Sequence, residues 1–300
     1  MSVVEKAINK MRGAQPATPV SGERAIGTLV PAAAVHGAAP DIATGEPPVP
    51  SRIIKIDQDA LRAEGLLPPK HQERLIARQY RQIKRPLLAR LRERTSARRR
   101  AAHTLVLASA IAGEGKTFTA FNLAFSLARE KDLRVVLVDA DAPKAHISRL
   151  LGVADQPGLL DVLKNSTLDV ESVILGTDVP NLVVLPAGTR TDDATELYAS
   201  ERMRDVVARL GARDPRRVVL FDTPPLLLTT EAQVLAQMAG EVLVVVRANE
   251  TPRSIVLEAL DHLDKDRPVS LVLNETSYDG QVDDYPEYGY AAGEPTDANR

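Results

Sequence analysis

The 300-residue chain has no cysteine, and aromatic residues make up only 3% of it. Without cysteine, the chain can form neither a disulfide nor a thiolate zinc site, and it has no cysteine nucleophile. No apolar run approaches the roughly 20 residues of a membrane-spanning helix, and the N-terminus lacks the long apolar core of a signal peptide. We therefore expect a soluble, cytoplasmic protein whose membrane role, if it has one, depends on a partner.

A large excess of one charge is also missing, because the formal net charge is −2. So small a net charge does not indicate binding to the polyanionic backbone of nucleic acid. We therefore do not expect nucleic acid as a partner. One stretch is an exception, with arginines at Arg90, Arg92, Arg94, Arg98, Arg99 and Arg100. Such a run is either a solvated face or a contact for anionic lipid or an acidic partner.

Apolar residues make up 44% of the chain, which is enough for a sizeable core. From residue 104 onward, short apolar runs alternate with helical patterns; the runs are 105–108, 135–138, 182–185, 218–221, 242–246 and 271–273. Continuous β-branched runs of this kind are typical of strands buried on both faces. The pattern predicts an α/β fold with a doubly wound, mostly parallel sheet.

Composition divides the chain into five segments. Residues 1–12 read as a short amphipathic docking helix or, equally, as a frayed end, and residues 13–50 as a disordered linker rich in Pro, Ala and Gly. Residues 51–102 form a lead-in segment with a helix over 71–92 that contains Pro86. Residues 103–276 form the main domain, and residues 277–300 form a flexible tail.

The most informative motif is SAIAGEGKT, residues 109–117, which follows an apolar run and opens a helical pattern. Gly113 and Gly115 allow the backbone to curl so that successive N–H groups face phosphate oxygens. The helix N-terminus favours negative charge, Lys116 reaches the outer phosphates, and the Thr117 hydroxyl can bind Mg²⁺. The alternative is an ordinary turn between a strand and a helix, with a surface lysine.

Three aspartates follow buried strands. Asp139 ends VVLVD, Asp141 comes two residues later, and Asp222 ends VVLFD, just before Thr-Pro-Pro. Ligand sites in parallel sheets lie at the carboxyl ends of the strands. Carboxylates there, beside a phosphate-binding loop, can hold Mg²⁺ or deprotonate an attacking group. Otherwise, aspartates at strand ends are often helix caps.

Together the GEGKT loop, the Asp-x-Asp motif and Asp-Thr-Pro-Pro resemble the bacterial tyrosine kinases. These are deviant Walker P-loop ATPases, related to the chromosome-partition and division-site ATPases. Those relatives carry a lysine early in the loop, where this chain has Ala110 and Ile111, so the kinase branch is favoured. The resemblance runs from the MSVVEKAINKMR opening through RQYRQIKRPLL to the tail. The chain is most similar to the exosortase-associated autokinases of exopolysaccharide loci.

The resemblance implies a site for ATP and Mg²⁺. By position, the nucleotide contacts are Gly113, Glu114, Gly115, Lys116, Thr117, Phe118 and, for adenine, Asn274. The metal ligands implied are Thr117, Asp139 and Asp222. The catalytic residues implied are Lys116, Asp139, Asp141 and Asp222, with Asp139 or Asp141 accepting the proton of a tyrosine.

Two positions depart from the family pattern. The oligomerising helix of the family usually reads Glu-x-x-Arg-x-x-Arg, and here Arg78 replaces the glutamate while Arg81 and Lys84 keep the rest. The family also has an arginine after Asp-x-Asp, where this chain has Pro143 and then Lys144. A lysine supplies a point charge but not the bidentate fork of arginine.

Four of the six tyrosines lie close together near the C-terminus: Tyr278, Tyr285, Tyr288 and Tyr290. The residues around them are acidic or small and cannot pack a core. The segment is either a simply solvated tail or, beside a nucleotide-binding domain, a set of accessible phosphoacceptors. Each phosphate would add about −1.5 to −2 charges to it.

These observations predict an ATP-dependent protein-tyrosine autokinase that regulates exopolysaccharide synthesis or export and phosphorylates the tail of a neighbouring subunit. The resemblance implies a homo-oligomer attached peripherally to the inner membrane through a polysaccharide co-polymerase, also called a chain-length determinant protein. It also implies a cognate tyrosine phosphatase. Two alternatives remain, a partition-type switch ATPase and a scaffold whose assembly is controlled by nucleotide.

Overall fold

The computed structural model describes residues 52–93 and 103–276. Eight strands form one sheet: β1 (Ile53–Ile54), β2 (Thr104–Ser109), β3 (Arg134–Asp139), β4 (Leu175–Thr177), β5 (Leu182–Leu185), β6 (Arg217–Asp222), β7 (Glu241–Arg247) and β8 (Val269–Asn274). Their order across the sheet is β1-β4-β5-β3-β6-β2-β7-β8. All neighbours are parallel except β4 and β5. The prediction of a mostly parallel sheet is confirmed.

Helices cover both faces of the sheet. They are α1 (Gln58–Ala63), α2 (Glu73–Glu93), α3 (Lys116–Ala128), α4 (His146–Leu150), α5 (Leu159–Lys164), α6 (Ala194–Ala199), α7 (Glu201–Ala212), α8 (Thr230–Met238) and α9 (Arg253–Asp261), with 3₁₀ turns at Lys70–Gln72 and Val170–Val173. Along β2, Val106 and Ala108 belong to one apolar cluster, whereas Leu105 and Leu107 belong to the other. Because alternate residues of a strand face opposite sides, this strand is buried on both faces.

The lead-in segment packs on helix α3, which follows the glycine-rich loop. Tyr80 of α2 is buried, with its ring centroid 6.5 Å from that of Phe118. The ammonium of Lys84 donates to the main-chain oxygen of Ser126 over 2.8 Å and forms an ion pair of 2.6 Å with Glu130. The charge of Lys84 is thus satisfied within the chain. Arg78 and Arg81 on the same helix are exposed.

Within residues 52–93 and 103–276, no helix combines the length and the apolar character required to cross a bilayer. Four sets of predictions lie outside the described residues: the docking helix of residues 1–12, the linker of residues 13–50, the part of the arginine run in residues 94–100 and the phosphoacceptor tail of residues 277–300. The domain boundaries stay predictions.

Candidate functional site

The glycine-rich loop connects the carboxyl end of β2 to the first residue of α3. Gly113 and Gly115 have φ angles of 85° and 90°, in the left-handed region that favours glycine. At Gly115 a Cβ atom would lie 2.0 Å from the side-chain nitrogen of Asn274. The same Asn274 nitrogen donates to the Glu114 main-chain oxygen over 3.1 Å. The end of β8 therefore touches the loop, at the position predicted to meet adenine.

The side chain of Glu114 holds the loop from inside. It is 1% exposed, and its carboxylate accepts from the Ile111 amide over 2.8 Å and from the Thr251 hydroxyl over 2.7 Å. A buried carboxylate must be paired in this way because leaving it unpaired would cost several kcal/mol. Only the main chain of Glu114 remains to meet a nucleotide.

Lys116 begins α3 and is 8% exposed. Its ammonium donates to the Ser109 hydroxyl over 2.8 Å. Burial lowers the pKa of Lys116, while the negative charges of Asp222 and Asp141 oppose that shift. A lysine placed among carboxylates at the start of a helix presents positive charge to an anionic ligand.

The two strand-end aspartates lie side by side, because Asp139 on β3 is in register with Asp222 on β6. Asp222 accepts a hydrogen bond of 2.8 Å from the Thr117 hydroxyl. Burial raises the pKa of Asp222 to about 7, against the effects of Thr117 and Lys116. Burial likewise raises the pKa of Asp139 to about 6. The convergence of these aspartates at one edge of the sheet follows from the parallel strands.

Ser148 of α4 fixes the orientation of Asp139. Its main-chain N–H and its hydroxyl both donate to Oδ2 of Asp139, each over 2.7 Å. The Ser148 hydroxyl in turn accepts from the Ala187 amide over 2.9 Å. This link was missed from the sequence, since nothing in the spacing of Ser148 distinguishes it from an ordinary helical serine.

A cleft of about 490 Å³ opens beside the loop. Among the predicted residues, its walls include Gly113, Gly115, Lys116, Thr117, Phe118, Asp141 and Asn274. Residues that the sequence did not single out as ligands also line it: Gly65, Leu66, Lys144, His146 and Glu275. Asp139 and Asp222 are not among the lining residues, because they lie beneath the floor of the cleft, at most 1% exposed.

The donor set fits a polyphosphate with Mg²⁺. Oδ1 of Asp139 and Oδ1 of Asp222 are buried without a hydrogen-bond partner. Such orphaned carboxylate oxygens suit the water shell of a Mg²⁺ ion, which keeps several waters when it is bound to a protein. In the described ranges, no three His, Cys, Asp or Glu side chains form a metal cage by themselves. Mg²⁺ would therefore need Thr117, water and phosphate oxygens as ligands.

Proteins with similar sequences include AAA domains and tyrosine-protein kinases. The sequence model of a family described as AAA domain matches residues 102–262. The chain is 33% identical over 137 residues to the tyrosine-protein kinase ptk of Acinetobacter johnsonii, covering 46% of this chain and 18% of the relative. It is 30% identical over 190 residues to the tyrosine-protein kinase wzc of Salmonella typhimurium, covering 63% of this chain and 26% of that relative. The chain thus spans about a quarter or less of these two curated relatives.

The solved kinase domain of VpsO superposes with a TM-score of 0.52 at 30% sequence identity, covering 65% of this chain and 98% of that domain. Residues 102–262, which the family model matches, contain the glycine-rich loop and strands β2 to β7 and make up more than half of the chain. The chain therefore belongs to the AAA domain family, and the resemblance to the bacterial tyrosine kinases that its motifs predicted is confirmed.

Proposed function

We propose that the chain is an ATP-dependent protein-tyrosine kinase that phosphorylates the tail tyrosines of a neighbouring copy. The observation that carries this proposal is the arrangement of Lys116, Thr117 and Asp222 at the end of the glycine-rich loop, with Asp141 on the wall of the same cleft. Relatives named tyrosine-protein kinases support it.

MgATP bound on the loop would supply the transferable γ-phosphoryl group. Lys116 then neutralises negative charge on the phosphates, and the backbone of the loop cradles them. Thr117 would hold Mg²⁺ directly, and Asp222, which now accepts from the Thr117 hydroxyl, would hold it through bound water. Asp139, fixed by Ser148, would orient further water around that ion.

Asp141 is the better proton acceptor for the attacking tyrosine hydroxyl. It lines the cleft, whereas Asp139 lies beneath the floor and has one oxygen occupied by two hydrogen bonds from Ser148. A general base must come within hydrogen-bond reach of the proton that it removes. The Asp141 carboxylate accepts the hydroxyl proton as the tyrosine oxygen bonds to phosphorus and ADP leaves.

The proposal includes the cellular setting implied by the family resemblance. Residues 2–12 dock on an inner-membrane polysaccharide co-polymerase, a cognate phosphatase removes the phosphates, and the cycle regulates exopolysaccharide synthesis or export. The exosortase-associated subtype belongs to the same proposal. Assembly into a homo-oligomer would bring a tail near a second active site.

The reach of the tail favours transfer between copies. β8 ends at Asn274, beside the glycine-rich loop. From Asn274 to Tyr285 is eleven residues, about 36 Å at full extension. We infer that a segment of this length can enter the cleft of a neighbouring copy, because a return to its own cleft would require a tight reversal of the chain.

A mixing experiment tests transfer between copies. A Lys116→Met chain with an intact tail is mixed with an active chain whose four tail tyrosines are Phe, and radiolabelled ATP is added. We expect label on the Lys116→Met chain, identified by a size tag, because only that chain carries acceptors. Next, the Lys116→Met chain is replaced by one that also lacks the four tyrosines, which should remain unlabelled.

Two results would contradict the proposal in different ways. If wild-type protein labels its own tail at every concentration while the mixture stays unlabelled, transfer is within one chain. If ATP is hydrolysed and no chain is labelled, the protein is a switch ATPase of the partition type.

A further inference from the structure

The cleft beside Asp141 is bounded by two different parts of the chain. Lys144 and His146, from the connection between β3 and α4, lie on it together with Gly65 and Leu66 of the lead-in segment. Asp141 begins a tight turn, in which its main-chain oxygen accepts from the Lys144 amide over 3.0 Å. The turn places Lys144 beside the residue that we propose as the proton acceptor.

Hydrogen bonds to Asp141 hold this turn in a strained shape. Ala145 has a φ angle of 43°, in the left-handed region that residues with a Cβ atom rarely adopt, at a cost of about 1–2 kcal/mol. Its amide donates to the main-chain oxygen of Asp141 over 2.6 Å. The Asp141 carboxylate also accepts from the Lys144 amide over 3.3 Å. Strained backbone of this kind is typical of sites where a side chain must be held in one place.

Two cationic or protonatable side chains line the cleft, Lys144 and His146, and Arg149 follows them outside its lining. We call these three residues the basic rim. Lys144 and Arg149 are exposed, and neither forms an ion pair with an acidic side chain in residues 52–93 and 103–276; His146 is half-buried. His146 and Arg149 stand three residues apart on α4, one helical turn. Burial and the positive charges of Arg149 and Lys144 lower the pKa of His146, while Asp141 and Glu64 act the other way.

An exposed basic rim beside an acceptor site suits an acidic peptide. In the tail, Asp279 follows Tyr278, Asp283 and Asp284 precede Tyr285, and Glu287 precedes Tyr288. Charge-assisted hydrogen bonds between lysine or arginine and carboxylates orient a peptide as well as bind it. The tail is thus complementary in charge to the rim.

We propose that the basic rim is the docking subsite for the acceptor, and that its Lys144 and Arg149 bind the carboxylates flanking a tail tyrosine of a second copy. This inference rests on the proposed function and assigns its substrate class, acid-flanked tyrosines. The rim holds the peptide, Asp141 lies next to it, and the tyrosine hydroxyl enters the cleft between Lys144 and the loop at Gly65.

A double-mutant cycle with peptides tests the inference by binding alone. The probe is a fluorescent peptide of residues 277–290 with Phe at each tyrosine, and a second peptide carries Asn or Gln at each acidic position. Fluorescence anisotropy measures both against the full chain and against Lys144→Gln/Arg149→Gln. We expect the neutral peptide to bind the wild type roughly five- to ten-fold more weakly, as two exposed charge pairs allow.

For Lys144→Gln/Arg149→Gln, the acidic and the neutral peptide should bind with equal affinity, because the side chains that pair with the carboxylates have been removed. Lys131→Gln/Arg209→Gln removes the same two charges from exposed positions of other elements and should keep the difference. Raising the salt concentration should weaken only the acidic peptide. A fluorescent ADP analogue should bind the Lys144→Gln/Arg149→Gln chain as tightly as the wild type.

Two outcomes would overturn the inference. The first is equal affinity of the wild type for both peptides. The second is a variant that loses the ADP analogue and both peptides together, which would place Lys144 on the nucleotide phosphates. The proposed function is tested separately, with a peptide that carries the natural tyrosines. If the chain binds the acidic peptide but does not phosphorylate the tyrosine peptide, the subsite is supported and the kinase activity is not.

Discussion

Replacing Lys116 by Met should abolish phosphate incorporation into the tail, with a rate loss of at least about two orders of magnitude. Lys116 is the lysine of the loop, is 8% exposed, and lies within the field of Asp222, Asp141 and Glu114. No other lysine of the loop can take over, because its remaining residues are uncharged except Glu114. The measurement is the initial rate of label transfer from ATP to protein.

The matched control is Lys131→Met, which removes an exposed lysine from the turn after α3. Its transfer rate should equal that of the wild type, and both variants should melt cooperatively. Normal tyrosine phosphorylation by the Lys116→Met chain would show that the site lies elsewhere.

Asp222→Asn should lower the rate of transfer by about two or more orders of magnitude while leaving the fold intact. The amide keeps nearly the same shape and can still accept from Thr117, whose hydroxyl lies 2.8 Å from Asp222. It lacks the negative charge with which Asp222 would orient Mg²⁺. The rate should be measured across a range of Mg²⁺ concentrations, and full activity of this variant would exclude the metal role.

The same substitution should stabilise the protein without added nucleotide or metal at pH 8. Burial raises the pKa of Asp222 to about 7 from the ordinary value of 3.8. Between these values the folded state holds a proton that the unfolded state has lost, so wild-type stability falls as the pH rises through this window. Asn does not titrate, and its stability advantage should therefore grow from pH 4 to pH 7 and then level off.

Thermal melting at pH 5 and pH 8 measures this effect. We expect Asp222→Asn to melt at a higher temperature than the wild type at pH 8 and to show a smaller difference at pH 5. Together with the loss of phosphoryl transfer, this result would show that Asp222 lowers stability in return for activity. An equal difference between the two proteins at both pH values would show that ionisation of Asp222 does not strain the fold.

Six of the eight strands in the described residues and the position of the site followed from the sequence, because both depend on local patterns. Each of the six predicted apolar runs lies in a strand, because a continuous apolar run is a local signal. Burial on both faces was wrong for the run 271–273, since β8 is an edge strand that is only partly buried and exposes Leu273. The meeting of Asp139 and Asp222 followed from the parallel direction of their strands. The loop followed from its glycines and Lys116.

What the sequence did not predict depends on contacts between distant segments. Strands β1 and β4 have two and three residues, too few to show a period. No local pattern identifies Ser148 as the hydrogen-bond partner of Asp139. Likewise, none shows that the buried Glu114 carboxylate accepts the hydrogen bonds that hold the loop. The lead-in residue Leu66 reaches the cleft because the Asn122 amide of α3 donates to its main-chain oxygen over 2.9 Å.

The central claim, that the chain transfers phosphate to its own tail tyrosines, is tested most directly by the intact mass of the purified protein. The chain is incubated with MgATP, and its mass is compared before and after treatment with a tyrosine phosphatase. We expect added phosphoryl groups that the phosphatase removes and that fragmentation places on Tyr278, Tyr285, Tyr288 or Tyr290. An unchanged mass, with ATP bound or hydrolysed, would contradict it.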